Sequence, residues 1–168
     1  MPRFVLNRLQ RKGSSVAQTL VKQVASEEDT AQIASALAAL LRPGDVVLLD
    51  GALAAGKTFF TRALVRALGS DEAVTSPTYT IANIYETPKG PVLHVDAYRL
   101  KGAHEFYHLG LEEYFDTGVS VIEWGERIAD YFDAPLSIRI GFGDHETERQ
   151  VTFTAEAPRW TPILEALT

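Results

Sequence analysis

Cysteine is absent and methionine occurs once in 168 residues, which excludes a disulfide framework and any chemistry needing a thiolate as nucleophile or metal ligand. No apolar run approaches the length of a membrane span, and the opening MPRFVLNRLQRKGSSVAQTLVKQ lacks the apolar core of a secretory signal. A soluble cytoplasmic chain with no membrane partner is expected. Acids are also missing at the start: Arg3, Arg8, Arg11, Lys12 and Lys22 all precede Glu27. Residues 1–15 therefore read as a basic, flexible tail, though arginine and serine without acids also suit a transit peptide. Beyond Lys22, 11 basic residues stand against 22 acidic ones, a balance of −11 inside an overall −6. Such a body is a poor general binder of nucleic acid, whose affinity rests on phosphate neutralisation.

What is present fits one globular domain, with 46% hydrophobic and 23% charged residues. The pattern predicts a strand over 16–25, then a helix capped by Ser26 with acids in its first turn and apolar residues at Ile33, Ala36, Leu37, Leu40 and Leu41. Val46 to Leu49 is continuously apolar, as a strand buried on both faces should be. It runs into Gly51-Ala52-Leu53-Ala54-Ala55-Gly56-Lys57-Thr58, and Phe60, Ala63, Leu64, Ala67 and Leu68 mark a helix beyond, closed by Gly69. Strands follow over 79–86 and 91–96, a helix over 103–115, a strand over 119–122 ending in Glu123, strands near 136–142 and 150–154, and a last helix after Pro158.

The pattern GxxxxGKT between a buried strand and an amphipathic helix is a phosphate loop. Its backbone N–H groups and the positive end of the helix face phosphates, its lysine reaches the β- and γ-phosphates, and its threonine ligates Mg²⁺. Bound nucleoside triphosphate with magnesium is the firmest expectation. Such a site needs acids at strand ends to hold the metal and orient water. Asp96 after Val92-Leu93-His94-Val95 and Glu123 after Val119-Ser120-Val121-Ile122 are the candidates. Ser76-Pro77-Thr78-Tyr79-Thr80 gathers three hydroxyls before a strand, and by itself reads as a turn. His104-Glu105-Phe106-Tyr107-His108 matches HExxH, a zinc-hydrolase pattern. Gly102 and Gly110 leave it a short helix and no third histidine follows at the extended spacing, so a coincidental helix face is the better reading.

Taken in order, GALAAGKT, SPTYT, HVDAYRL and VSVIEWGER, with GLEEYFD between the last two, resemble the TsaE family, the ATPase component of bacterial tRNA threonylcarbamoyladenosine biosynthesis. The resemblance covers about residues 26–127. It implies an α/β fold: a single-domain P-loop NTPase sandwich with a mostly parallel central sheet, some antiparallel strands and flanking helices, over 16–168. It implies ATP and Mg²⁺ as cofactors. The nucleotide would lie against Gly51, Ala52, Leu53, Ala54, Ala55, Gly56, Lys57, Thr58 and Phe59, near Trp124 and Glu27. Thr58, Glu123 and Asp96 would serve the metal, with Lys57, Asp96, Glu123, Thr78 and Thr80 acting in hydrolysis. The implied partners are TsaD and TsaB type proteins, with tRNA met only through that complex. One departure stands out: relatives usually read GDLGAGKT, and Ala52 and Ala54 replace the aspartate and the middle glycine. A Cβ at a left-handed position is costly, so weakened nucleotide affinity and slow intrinsic hydrolysis are expected. A nucleotide-gated binding module and a small-molecule kinase are the competing functions, although the acidic, aromatic stretch after Gly102 is unlike a kinase's arginine-bearing lid.

Overall fold

The structure, a computed structural model, describes residues 16–168. The basic tail expected over 1–15 lies outside the described residues. One sheet of seven strands forms the centre, in the order β1-β7-β6-β2-β5-β4-β3. The strands are β1 (Gln18–Val24), β2 (Val46–Asp50), β3 (Ala82–Tyr85), β4 (Val92–Asp96), β5 (Val119–Glu123), β6 (Leu136–Phe142) and β7 (Arg149–Ala155). Pairing is parallel through β6, β2, β5 and β4, while β7 and β1 on one side and β3 on the other pair antiparallel. Every residue of β2, β4 and β5 is buried, which is why β2 reads as a continuous apolar run and the other two as mostly apolar ones, broken by His94 and Ser120.

Successive side chains divide between two cores because strand periodicity is two. Val47, Leu49, Val119, Val121 and Val92 join the side covered by α1 (Glu27–Leu40) and α2 (Lys57–Ala67), with Trp160 and α5 (Thr161–Ala166). Val46, Leu48, Leu93, Val95 and Ile122 join the other, where α3 (Ala103–Tyr107), α4 (Glu112–Thr117) and a 3₁₀ segment, Gly125–Tyr131, contribute Phe106 and Ile128. Ser26 caps α1 as expected, its hydroxyl accepting from the Asp29 amide at 3.2 Å. Arg159 ties the C-terminal region to the start of β2, donating to both carboxylate oxygens of buried Asp45 at 3.2 and 2.7 Å and to the Leu40 carbonyl at 3.1 Å.

Two expectations on elements need correction, and one further element is added. The strand expected from Tyr79 begins only at Ala82, because residues 77–81 close a turn in which the Ile81 amide donates to the Pro77 carbonyl at 2.7 Å. The single helix over 103–115 is two short ones, separated where Gly110 takes φ 69°, which ends a helix. The segment Gly125–Tyr131, for which the sequence carried no expectation, is a 3₁₀ helix that packs on β2.

Candidate functional site

The phosphate loop connects β2 to α2 at the C-terminal edge of the parallel strands, the edge where open α/β sheets bind ligands. Its backbone depends on unusual angles: Gly51 at φ 145°, Ala54 at φ 65° and Gly56 at φ 112°. A Cβ on Gly51 would lie 2.4 Å from the Ile140 carbonyl oxygen, so the first glycine is required by space as well as angle. Ala54 does adopt the left-handed conformation that favours glycine. Gly56, as N-cap of α2, carries no side chain that could take up the first amides of that helix, and they stay available to an anion.

Register completes the site. Parallel pairing sets Leu49 beside Glu123 and Glu123 beside Asp96, so two carboxylates from adjacent strands end at one level and face α2. The Thr58 hydroxyl donates to Glu123 Oε1 at 2.8 Å. Asp96 Oδ2 accepts from the Thr78 hydroxyl at 3.1 Å and Oδ1 from the Tyr98 amide at 2.9 Å. Lys57 Nζ donates to the carbonyls of Gly51 at 2.7 Å and Ala52 at 3.0 Å and lies 4.2 Å from the centroid of the Trp124 ring. Burial lowers the Lys57 pKa, against the pull of Glu123, Asp96 and Asp50 in the other direction. A cleft of about 400 Å³ is lined by Leu53, Ala54, Gly56, Lys57, Thr58 and Phe59 from the loop and helix, and by Ser76, Thr78, Asp96, Tyr98, Glu123 and Trp124 opposite.

Most of the residues singled out from the sequence therefore converge, but not all. Thr80 is exposed and outside the cleft lining, its hydroxyl donating to Asn83 Oδ1 at 3.0 Å. Glu27 lines a second cleft, of about 480 Å³, across the loop, together with Ala54, Ala55, Gly56, Phe59 and Arg149. His104 and His108 bring their Nε2 atoms to 3.3 Å, yet among the described residues no group of three or more His, Cys, Asp or Glu side chains could hold a metal. The zinc reading gains no third ligand.

Four further residues were not named as site residues from the sequence. Tyr98 packs against Trp124 with ring centroids 5.0 Å apart and planes tilted by 54°. Ser76 is 2.7 Å from Thr78 through their hydroxyls. Buried Asp50 ends β2 and accepts from the Glu126 amide at 3.1 Å. Burial pushes its carboxyl up to about 6, although Arg139 and Lys57 counter this. His94 is fully buried, 2.6 Å from Glu123 Oε2 through Nε2. Its signal was available: two positions before Asp96, it shares that residue's face of the strand. Trp124, which by residue type reads first as core, is half-buried at φ 56° and forms a wall of the cleft.

Comparison with known proteins bears on this arrangement. The family model described as threonylcarbamoyl adenosine biosynthesis protein TsaE matches residues 24–151. A tRNA threonylcarbamoyladenosine biosynthesis protein TsaE from Streptomyces coelicolor is 44% identical over 131 residues, covering 74% of this chain and 88% of that protein. The protein of the same name from Bacillus subtilis is 38% identical over 141 residues, covering 83% and 88%. The crystal structure of Bacillus subtilis YdiB superposes with a TM-score of 0.77 at 35% identity, covering 92% of this chain and 97% of that one.

Proposed function

This chain belongs to the TsaE family of threonylcarbamoyl adenosine biosynthesis proteins, and from that premise we propose that it is the ATP-hydrolysing member of the machinery that places threonylcarbamoyladenosine in tRNA. The observation that carries the reading is the convergence of Lys57, Thr58, Asp96 and Glu123 on one cleft at the ends of three parallel strands. The residues fit the expected ligands. A bare glycine N-cap, a lysine and a run of loop amides suit phosphate. One hydroxyl and two carboxylates form an all-oxygen donor set, and Mg²⁺ characteristically takes one or two carboxylates and completes its shell with phosphate oxygens and water. The cation would neutralise charge developing on the phosphates.

Within that reading Lys57 holds phosphate and Thr58, Glu123 and Asp96 hold the metal. Thr78, tied to Asp96, sits where a water could be oriented. Trp124 and Tyr98 wall the cleft, and Glu27 borders the nucleotide from the other side of the loop. Hydrolysis to ADP and phosphate is slow alone and is raised by TsaD and TsaB type partners in the cytoplasm, with tRNA reached through that complex.

The test is phosphate release from ATP with and without those partners, comparing the parent chain with Lys57→Ala. Partner-stimulated release that disappears in the variant supports the proposal. Nucleotide-dependent assembly without any release, in the parent too, would turn it into a nucleotide-gated module, and a phosphorylated metabolite in place of free phosphate would make it a kinase.

A further inference from the structure

We infer that His94 is a positioning residue that aims the Glu123 carboxylate at the metal, an inference that rests on the magnesium reading of the site. Glu123 divides its two oxygens between two partners. Oε1 accepts from Thr58, on the side of the phosphate loop, and Oε2 meets His94 Nε2 at 2.6 Å on the adjacent strand. Strand register makes this meeting unavoidable: His94 pairs with Val121 and Asp96 with Glu123, so the histidine lies one step behind Glu123 on the same face.

The hydrogen-bonding pattern points the same way. His94 has no solvent exposure, and its Nδ1 has no hydrogen-bond partner. A proton on Nδ1 would be an orphaned buried donor, whereas one on Nε2 is satisfied by the carboxylate. The Nε2 N–H is thus spent on one Glu123 oxygen, and this contact holds the carboxylate in place. A neighbour of this kind, fixing a ligand that fixes a metal, commonly governs metal affinity. The bland alternative is a ring that only fills space beside Tyr85, whose centroid is 6.2 Å away.

The two roles separate in a titration of a fluorescent ATP analogue onto the full chain, first in EDTA and then with increasing Mg²⁺, with thermal melting alongside. The variants are His94→Leu, which removes the donor, His94→Gln, whose amide reaches the Nε2 position, and His94→Asn, whose amide reaches only the Nδ1 position. The expected result is that His94→Leu and His94→Asn need roughly tenfold more Mg²⁺ to tighten nucleotide binding, with affinity in EDTA unchanged, and that His94→Gln restores most of the parent's response. Should His94→Leu fail to fold, His94→Phe keeps a ring without the nitrogen, and the contrast between Gln and Asn still decides. An unchanged Mg²⁺ requirement in the Leu or Phe and Asn variants overturns the inference, as does a Gln variant no better than Asn. A parent whose nucleotide affinity ignores Mg²⁺ overturns the magnesium reading itself and takes the inference with it.

Discussion

A single methyl group at Ala54 carries much of what distinguishes this loop. At φ 65° an L-residue with a Cβ bears about 1–2 kcal/mol that glycine would not. Part of the gain from Ala54→Gly is returned as glycine's larger loss of chain entropy, about 0.5–1 kcal/mol. The expected net stabilisation lies between about 0 and 1.5 kcal/mol, a rise of at most roughly 3–6 °C in melting temperature for a chain of this size. Nucleotide binding should tighten or hold. A lower melting temperature in Ala54→Gly would dismiss the strain. Asp50 supplies the second residue-level expectation. Its carboxyl, raised from 3.8 to about 6, keeps its proton in the folded chain over a range where the unfolded chain has lost it. Stability therefore falls as pH rises through that window and is lower by the full amount above it. Asp50→Asn keeps an oxygen to accept from the Glu126 amide. Melting curves between pH 4 and 7.5 should show the variant gaining on the parent up to about pH 6 and running level beyond.

Among the elements, the turn before β3 and the C-terminal segment depend on single anchors. Ile81 sits at φ 71°, which is rare for a β-branched residue. Its carbonyl accepts from the Asp96 amide at 2.9 Å, and it packs against the core on the β4 and β5 side. The conformation costs on the order of 1–3 kcal/mol and holds Thr78 against Asp96. The mistaken strand start arises here, because a run such as Thr78-Tyr79-Thr80-Ile81 has strand propensity that these long-range bonds override. At the other end of the chain, Arg159→Ala leaves Asp45 buried with, among the described residues, only the Arg42 amide as side-chain partner. A loss of roughly 2–4 kcal/mol is expected, since the variant strands a buried charge, and chemical denaturation can measure it. A change under about 0.5 kcal/mol would mean the pair is as weak as an exposed one.

For the whole molecule, the prediction concerns linkage between ligand and fold. Because the cleft draws on the loop after β2, on β4, β5 and α2, and on the turn before β3 at once, a nucleotide that binds only the folded chain must stabilise it globally. At 100 times its dissociation constant that amounts to about 2.7 kcal/mol. ATP with Mg²⁺ should raise the melting temperature of the parent and leave Lys57→Ala nearly unmoved. An equal rise in both would show that the lysine does not hold phosphate.

Local chemistry was enough to read the phosphate loop, the acids Asp96 and Glu123 at buried strand ends, the Ser26 cap and the seven strands to within a few residues. Each of these follows from periodicity, from glycine's angular freedom or from the burial of continuous apolar runs, and a sequence displays all three directly. Only the tertiary structure decided which side chains meet. Parallel register put Glu123 between Asp96 and Leu49 and set His94 behind it, and the turn at Ile81 brought Thr78 to Asp96 while leaving Thr80 outside. Those outcomes depend on pairings between residues 18 or more positions apart, whose energies local propensity does not contain.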